Sequence, residues 1–297
     1  MNPWLPTLLL ALLLNGAAPA TPGTSRPSPA VVGSSDGPAG ISAGYEVRVD
    51  RFDYRFENPS NFDTSYLVPH FFEQTYRADH QWLVVRARYR VANRMWVTEV
   101  GFAPEQEGHG SDADTFSNPD GNVIVDATET PVALLSWRVR HRVALARVGG
   151  FDTSVGYSYR RDRSVFPDST TTITQTKPPS FVSFWDTGRE RTISEVHQIR
   201  LAAHRQVPLS ARWTLRVGLD VSPIDLARLT TLLPDKYPDR PIIFTAKGTM
   251  IEPRVDLNGR LGRWSINVAA DYTHHWSYKQ DSQFGWNGAG LSVSVGR

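Results

Sequence analysis

Along most of this 297-residue chain, apolar and polar side chains alternate with a period of two, which restricts the chain to β-structure. In one segment, Trp213, Leu215 and Val217 lie on one face of an extended strand, whereas the residues between them are polar or small. The alternation is clearest in 135–147, 213–222, 264–275 and 289–295. It is weaker in 45–56, 82–92, 95–103, 151–165, 190–206 and 243–257. The sequence therefore predicts ten strands.

The length and polarity of these segments favour strands that cross a membrane. Strands of soluble proteins usually have about 5 or 6 residues, whereas a tilted membrane-spanning strand needs about 9 to 11. The apolar face carries Trp and Tyr near the strand ends, and the other face carries Arg, Asp and Ser. A membrane barrel has this order, with apolar side chains toward lipid and polar ones toward the lumen. The alternative is a soluble secreted barrel or sandwich, which would need a second layer to cover the Trp-rich faces.

The predicted connections alternate between long and short. The long ones are 57–81, 104–131, 166–188 and 224–242, with 277–286 intermediate. The short ones are 92–94, 148–150, 207–211 and 258–262. Bacterial outer-membrane barrels combine long outer loops with short periplasmic turns and an even strand number. The fold expected is an all-β, closed antiparallel transmembrane β-barrel of about ten strands, with eight or twelve as alternatives.

The first residues are typical of an export signal. The apolar block 4–14 is too short for a comfortable helical span, and Ala18-Pro19-Ala20 fits the small-x-small cleavage rule. We expect a signal peptide over 1–20, a Pro/Gly/Ser-rich disordered linker over 21–43 and an outer-membrane barrel over 44–297. An uncleaved hydrophobic anchor is the alternative for the first segment.

Composition excludes several classes of protein. The absence of cysteine excludes a disulfide scaffold, a thiolate zinc site and a cysteine nucleophile. The chain has 32 Lys and Arg against 30 Asp and Glu, and this balance does not indicate a nucleic-acid partner. The mean hydropathy of -0.35 excludes a helical membrane protein. We expect no cofactor, no metal and a monomer whose partner is membrane lipid, with lipopolysaccharide as one candidate.

The polar faces predict a lumen filled with ion pairs. The basic residues expected to point inward are Arg86, Arg88, Arg90, Arg138, Arg140, Arg142, Arg216 and Arg254. The acidic partners available to them are Asp220, Glu252, Asp256 and Asp271. A barrel of ten strands is filled mainly by its own side chains, so a structural ion-pair ladder is more plausible than a general pore.

The second long connection, 104–131, is acidic and contains no Lys or Arg. Within it, Asp112 and Asp114 are two residues apart and would share one face of a strand, with His109 close by. Two adjacent carboxylates resist joint ionisation and can orient a water molecule. An ordinary solvated acidic loop is the alternative interpretation.

The layout resembles the omptins, which are ten-stranded outer-membrane endopeptidases of aspartic type. Four features carry the resemblance. The segment Arg88–Asn93 leads through a tight turn into the strand 95–102, and Asp112-Ala113-Asp114 and Ser117-Asn118-Pro119 follow it. Near the end of the chain, Asn287-Gly288-Ala289-Gly290 opens the final strand. The resemblance covers most of 45–296 as topology. It implies that Asp112 and Asp114 face a catalytic Asp-x-His from the fourth outer loop across an acidic cleft.

The fourth loop departs from that pattern. Asp235 can be carried over, but Tyr237 stands where the histidine is expected, and a phenol is a poor base at neutral pH. His275 is the preferred substitute because the alternation turns it inward and turns His274 toward the lipid side. The other candidates are His109, His70 and His80.

Two functions follow from the sequence. If the chain is an enzyme, it hydrolyses basic peptides with Asp112, Asp114, Asp235 and His275 as its site residues. The alternative is a non-catalytic outer-membrane barrel that presents its loops for adhesion or partner binding.

Overall fold

The computed structural model describes residues 39–57, 68–117, 123–166, 169–176, 179–186, 189–233, 237–277 and 282–297. The strands are β1 (Gly40–Glu57), β2 (Val68–Val91), β3 (Arg94–Ser117), β4 (Val123–Val148), β5 (Phe151–Phe166), β6 (Ser169–Thr176), β7 (Pro179–Asp186), β8 (Glu190–Pro208), β9 (Trp213–Leu233), β10 (Tyr237–Leu261), β11 (Trp264–Ser277) and β12 (Ser282–Gly296). No helix in these ranges is long and apolar enough to cross a membrane.

Ten of the strands form a closed antiparallel barrel, which confirms the predicted fold class and strand number. The order around the wall is β3-β2-β1-β12-β11-β10-β9-β8-β5-β4, and β4 pairs back with β3. The first and last strands close next to each other, with Ser42 opposite Gly296 and Phe56 opposite Ser282. β1 begins at Gly40, so the end of the segment expected to be linker is part of the wall.

The connections at one end of the barrel are tight turns, as predicted. Ala92 and Asn93 between β2 and β3 have φ values of 48° and 62°, and Gly149 and Gly150 between β4 and β5 have 57° and 85°. Two central residues with positive φ define a type I′ turn, whose twist matches that of antiparallel strands. These turns, the start of β1 and the end of β12 lie at the same end of the barrel, which by this architecture is the periplasmic end.

The segments predicted to be long outer loops are largely continuations of the strands. β3 extends to Ser117 and pairs with β4 from Val123 onward, so most of 104–131 is an antiparallel ribbon. Part of 166–188 forms the β6–β7 hairpin, in which β6 pairs with the outer end of β4. The alternation is weak there because outward residues beyond the membrane need not be apolar.

The outward face of the barrel has an apolar belt with a clear upper boundary. On β1 the exposed outward residues are Ile41, Tyr45, Val47 and Val49, which is about the length of a tilted membrane span. Two residues above Val49, the outward side chain is the exposed Arg51. We take the membrane-spanning part to end at this level, and call the strand segments above it the outer extension.

Candidate functional site

Asp50 of β1 lies at the centre of a buried polar network in the lumen. Its carboxylate accepts hydrogen bonds from Arg160 Nη2 at 2.8 Å, Trp286 Nε1 at 3.1 Å and Arg48 Nε at 3.3 Å. His80 Nδ1 lies 3.0 Å from the same carboxylate. All five side chains are nearly completely buried. The carboxylate therefore joins strands β1, β2, β5 and β12 across the lumen.

A second part of the network is centred on Arg138 of β4. Its guanidinium binds Glu46 in bidentate fashion, at 2.9 Å and 2.5 Å, and contacts Glu99 at 3.2 Å. Arg86 reaches Glu99 at 2.6 Å. Because each charge has a partner of opposite sign, the cost of burying these groups is offset by direct pairing.

A third part is centred on Glu252 of β10, which is fully buried. Arg200 and Arg140 approach its carboxylate at 2.8 Å and 3.2 Å, and Thr273 donates to it at 3.1 Å. Arg48 connects this part to Asp50, since it donates to Thr273 Oγ1 at 3.0 Å. Arg48 also donates to Asp271. We call the three parts together the ion-pair layer: Glu46, Arg48, Asp50, Arg86, Glu99, Arg138, Arg140, Arg160, Arg200, Glu252 and Asp271.

The ion-pair layer confirms the predicted ladder and adds members to it. Arg86, Arg138 and Arg140 have acidic partners in the lumen, whereas Arg90 is exposed close to its turn. The inward residues missed from the sequence include Glu46, Arg48, Asp50, Glu99, Arg160 and Arg200. Their signal was present, because Glu46, Arg48 and Asp50 alternate with outward apolar residues on β1.

Above the ion-pair layer the lumen is filled by aromatic rings. The ring centroid of Phe52 lies 4.7 Å from that of Tyr76 and 6.0 Å from that of Trp286. The hydroxyl groups of Tyr54 and Tyr76 are hydrogen-bonded at 2.6 Å, and Phe284 packs beside Tyr54 at 5.2 Å. We call these five side chains the aromatic layer. Together the two layers occupy the lumen with buried side chains at successive heights.

One chain of contacts has the order of a serine-hydrolase triad. His80 lies between Asp50 at 3.0 Å and Ser136 Oγ at 3.3 Å. However, the Ser136 hydroxyl donates to Asp162 at 2.6 Å, so its single proton is not directed at the imidazole. All four side chains are buried in the lumen, and we interpret the chain as part of the structural network.

His275 points into the lumen, as its position in the alternation predicted. Its Nε2 lies 3.1 Å from Asp225, and its Nδ1 lies 3.2 Å from the carbonyl oxygen of Phe284. Gln198 donates to the same Asp225 carboxylate at 3.0 Å, and Ser222 also contacts it. His275 is 1% exposed, so both of its ring nitrogens face protein groups.

Asp112 and Asp114 lie on the outer extension of β3. In the backbone register, Asp112 is opposite Gln74 of β2, and Asp114 is opposite Asp126 of β4. Both lie where the wall continues above the belt, although their side chains are outside the description. Asp235 lies outside the described residues. The roles assigned to these three residues therefore stay predictions.

The register also shows how His275 is placed relative to the acidic pair. One ladder of opposed residues runs from His275 through Trp286, Phe52 and Tyr76 to Gly110, two residues before Asp112. It crosses four strand spacings, or about 19 Å of wall at about 4.8 Å per strand. His275 is thus held beside the aromatic layer, 4.8 Å from the Phe284 ring, on a different part of the wall from β3.

The other candidate histidines occupy different places. His80 belongs to the lumen network, and His109 is exposed on the outward face of β3. His274 contacts Asn287 and lies 5.1 Å from the Trp276 ring on the outward face. His70 is on β2, but its side chain is not described. In the described ranges, no group of three or more His, Asp or Glu side chains is arranged to hold a metal ion.

The closed wall, the apolar belt, the tight turns at one end and the filled lumen define a ten-stranded outer-membrane β-barrel. No protein-family model matches the sequence, and no curated protein sequence matches it. Among solved structures, the outer membrane protease OmpT from Escherichia coli matches with a TM-score of 0.58 and 8% identity. The match covers 86% of this chain and 95% of OmpT. The fold is therefore omptin-like.

More distant matches are outer-membrane barrels as well. The β domain of the Bordetella autotransporter BrkA gives a TM-score of 0.32 at 11% identity, covering 86% of this chain and 98% of that one. Neisserial surface protein A gives 0.27 at 9% identity, with 85% and 95% coverage.

Proposed function

We propose that this protein is a sealed outer-membrane scaffold that binds a polypeptide partner with its outer extension. The observation that carries the proposal is the filled lumen. The aromatic layer lies directly above the ion-pair layer along the barrel axis. Asp50 of the lower layer and Phe52 of the upper layer are consecutive inward residues of β1, and both are fully buried. Solute passage would require displacing paired charges, so the functional surface is the part of the wall above the belt.

The β6–β7 hairpin gives this surface an open strand edge. In the described part of the sheet, β7 (Pro179–Asp186) is the terminal strand and pairs with β6 alone. The free edge of a terminal strand presents unpaired backbone N–H and C=O groups, which can add an extended peptide as a further strand. The segment 179–186 contains no Lys, the residue that often protects such edges. An extended polypeptide is therefore the class of partner we propose.

A first experiment tests the sealed lumen. The refolded barrel is inserted into planar lipid bilayers, and single-channel current is recorded. We expect no conductance above that of the empty bilayer. A steady open level in the wild-type protein would contradict the proposal.

A second experiment tests the open edge. Random 12-residue peptides displayed on phage are selected on the intact barrel, and the enriched peptides are tested against a variant in which 169–186 is replaced by a short Gly-Ser linker. We expect enriched peptides to lose binding to this variant and to retain binding to the matched control Asp112→Asn, which keeps the hairpin. Equal binding to the wild type and the hairpin deletion would reject the edge as the site.

A cell-surface endopeptidase is the second candidate. It is supported by the fold match to OmpT, which is a protease, and by Asp112 and Asp114 on one strand of the outer extension. The weak point of this candidate is the general base that would activate water. Every histidine with a described side chain is either buried in the lumen or on the outward face. His275 is buried beside the Phe284 ring, so it could serve only if that ring moved.

The two candidates are separated by incubating the refolded barrel with a library of basic peptides, with and without lipopolysaccharide, and following cleavage by mass spectrometry. The peptidase predicts cleavage that is lost in Asp112→Asn and in His275→Asn. The scaffold predicts intact peptides under all conditions. Cleavage by wild-type protein that survives both substitutions would reject the assigned site residues.

We also propose that residues 1–20 direct export and are removed, and that the barrel acts as a monomer in contact with lipopolysaccharide. The supporting features are the apolar block 4–14 and the small residues before Thr21. Amino-terminal sequencing of protein from purified outer membranes should begin at Thr21. Retention of Met1 would favour an anchor instead.

A further inference from the structure

The lumen near the periplasmic end contains a small cavity with an unusual lining. Its volume is about 50 Å³, and five arginines line it: Arg86, Arg140, Arg142, Arg200 and Arg254. Two carboxylates, those of Glu99 and Asp220, are the acidic groups of the same lining. The cavity therefore has a surplus of positive charge in a part of the barrel from which bulk water is largely excluded.

Four of the five arginines are neutralised by neighbours. Arg86 pairs with Glu99 at 2.6 Å, and Arg200 pairs with Asp220 at 3.0 Å. Arg140 pairs with Glu252 at 3.2 Å, and Arg254 pairs with Asp256 at 2.8 Å. These contacts hold the guanidinium groups around the cavity in fixed positions.

Arg142 is different from the other four. Among the described residues, no hydrogen bond or ion pair joins its guanidinium to another group. Its surroundings add further positive charge, because Arg216 of β9 is also inward and contacts His204 at 3.1 Å rather than a carboxylate. Asp220, the carboxylate of the lining that attracts Arg142, is already paired with Arg200 at 3.0 Å. A partly buried guanidinium that forms no direct ion pair is costly, so a bound anion would stabilise this arrangement.

We propose that this cavity binds a small oxyanion of the phosphate or sulfate type, with Arg142 as its principal ligand. A guanidinium presents a planar fork of N–H donors that matches two oxygens of such an anion. The volume suits a single oxyanion or a few waters and excludes larger ligands. Arg142 lies opposite Val97 and Gly156, and the same ladder continues through Arg88 to Gly40 at the start of β1. The anion would therefore enter from the periplasmic end. This inference does not depend on the proposed partner binding at the outer extension.

The experiment is a titration of the refolded barrel in dodecyl maltoside with sodium phosphate, against sodium chloride at matched ionic strength. Isothermal titration calorimetry measures binding, and the thermal unfolding midpoint measures stabilisation, which a ligand of the folded state must increase. We expect saturable binding and a rise in the midpoint with phosphate only. Equal effects of phosphate and chloride, together with no binding of the lipid probe described below, would overturn the proposal.

Variants identify the ligand group. Arg142→Gln should weaken phosphate binding at least tenfold, and Arg142→Lys should weaken it less because the charge is kept. Arg212→Gln is the matched control, since Arg212 is exposed in the β8–β9 turn and does not line the cavity. Heat-modifiable migration in gels verifies folding of each variant, and Arg142→Lys keeps the test valid if Arg142→Gln does not fold. Unchanged affinity in a folded Arg142 variant would reject the assignment.

The source of the oxyanion is distinguished in a second arm with dihexanoyl phosphatidic acid, a short lipid that carries the same phosphate group. Binding of inorganic phosphate shows that a free anion is sufficient. Binding of the lipid alone, lost in Arg142→Gln, would identify a headgroup as the source and would still support the site. Failure of both probes to bind would overturn it.

Discussion

The membrane-spanning part of the barrel and its outer extension have opposite internal chemistry, although the same strands build both. On β1, the belt places Val47 and Val49 outward, with Arg48 and Asp50 buried inside. Two residues further, Arg51 is exposed outward and Phe52 is buried inward. The polarity of the wall reverses within one pair of residues.

The reversal shows that the solvent outside the wall decides what the lumen contains. Against lipid, outward residues must be apolar, so the inward positions are free to carry charges that pair across the lumen. Against water, the usual hydrophobic effect returns, and the aromatic layer packs inside as in a soluble protein. Stability therefore rests on ion pairing below the boundary and on aromatic packing above it.

The largest expected effect comes from removing the carboxylate that binds the ion-pair layer together. Asp50→Asn leaves Arg48 and Arg160 buried with one counter-charge fewer, and loss of one partner from a buried pair costs about 3–5 kcal/mol. Equilibrium unfolding in guanidinium chloride, in phospholipid vesicles, measures the change in the free energy of unfolding. The matched control is Asp53→Asn, which breaks the exposed 3.1 Å pair with Arg51 and should cost less than about 1 kcal/mol. Similar losses for the two variants would show that buried and exposed pairs do not differ here.

The next largest effect comes from introducing an arginine on the outward face of the wall, which tests where the apolar belt ends. Val47→Arg places a charge against lipid, which costs about 2–4 kcal/mol near the bilayer midplane. Thr75→Arg places the same charge outward on β2 above the boundary, next to Asp53, and should change stability by about 0.5 kcal/mol or less. The same vesicle unfolding assay compares them. A large loss for Thr75→Arg would move the boundary outward.

The aromatic layer should contribute a loss of stability at alkaline pH. Tyr54 and Tyr76 lie above the boundary, and burial raises the pKa of both phenols above their usual value. In the unfolded chain these groups ionise near pH 10, so their contribution is complete below about pH 10 and decreases as the pH rises further. The double variant Tyr54→Phe with Tyr76→Phe should reduce the fall in stability between about pH 9.5 and 11, by up to about 1.4 kcal/mol per pH unit for each phenol. An equal fall in stability in the double variant and the wild type would contradict this assignment.

The sequence predicted the part of the fold that faces lipid, and the same physics explains where it failed. In β11 and in the first half of β9 the outward residues must be apolar, so the alternation was strong and the segments 264–275 and 213–222 were correctly predicted as strands. The outer half of β9, within the predicted loop 224–242, was missed. The outer ends of β3 and β4 lack this constraint, so their pairing from Ser117 and Val123 was predicted as loop.

The sequence predicted that ion pairs fill the lumen, but it did not predict which residues pair with each other. The alternation identified Arg138 and Arg140 as inward, yet their partners Glu46 and Glu252 lie 92 and 112 residues away along the chain. The alternation on β1 also contained the inward direction of Asp50, but its ligands come from three other strands and could not be predicted. Alternation gives the direction of a side chain, whereas pairing depends on strand tilt and barrel closure.

The smallest predicted effect concerns the turns at the periplasmic end, where two connections of the same type have different residues. Ala92 has a φ of 48°, in the left-handed region, where its Cβ atom is sterically unfavourable. Gly149 has a φ of 57° and no Cβ atom, so it has no such strain. An added Cβ at Gly149 would meet no atom within 4 Å, so only backbone conformation is tested there. Gly149→Ala should lower the free energy of unfolding by about 1 kcal/mol, and Ala92→Gly should raise it by about 0.5 kcal/mol after its own entropy cost. Changes of the same sign in the two variants would show that packing against the membrane surface, rather than backbone conformation, determines the stability of these turns.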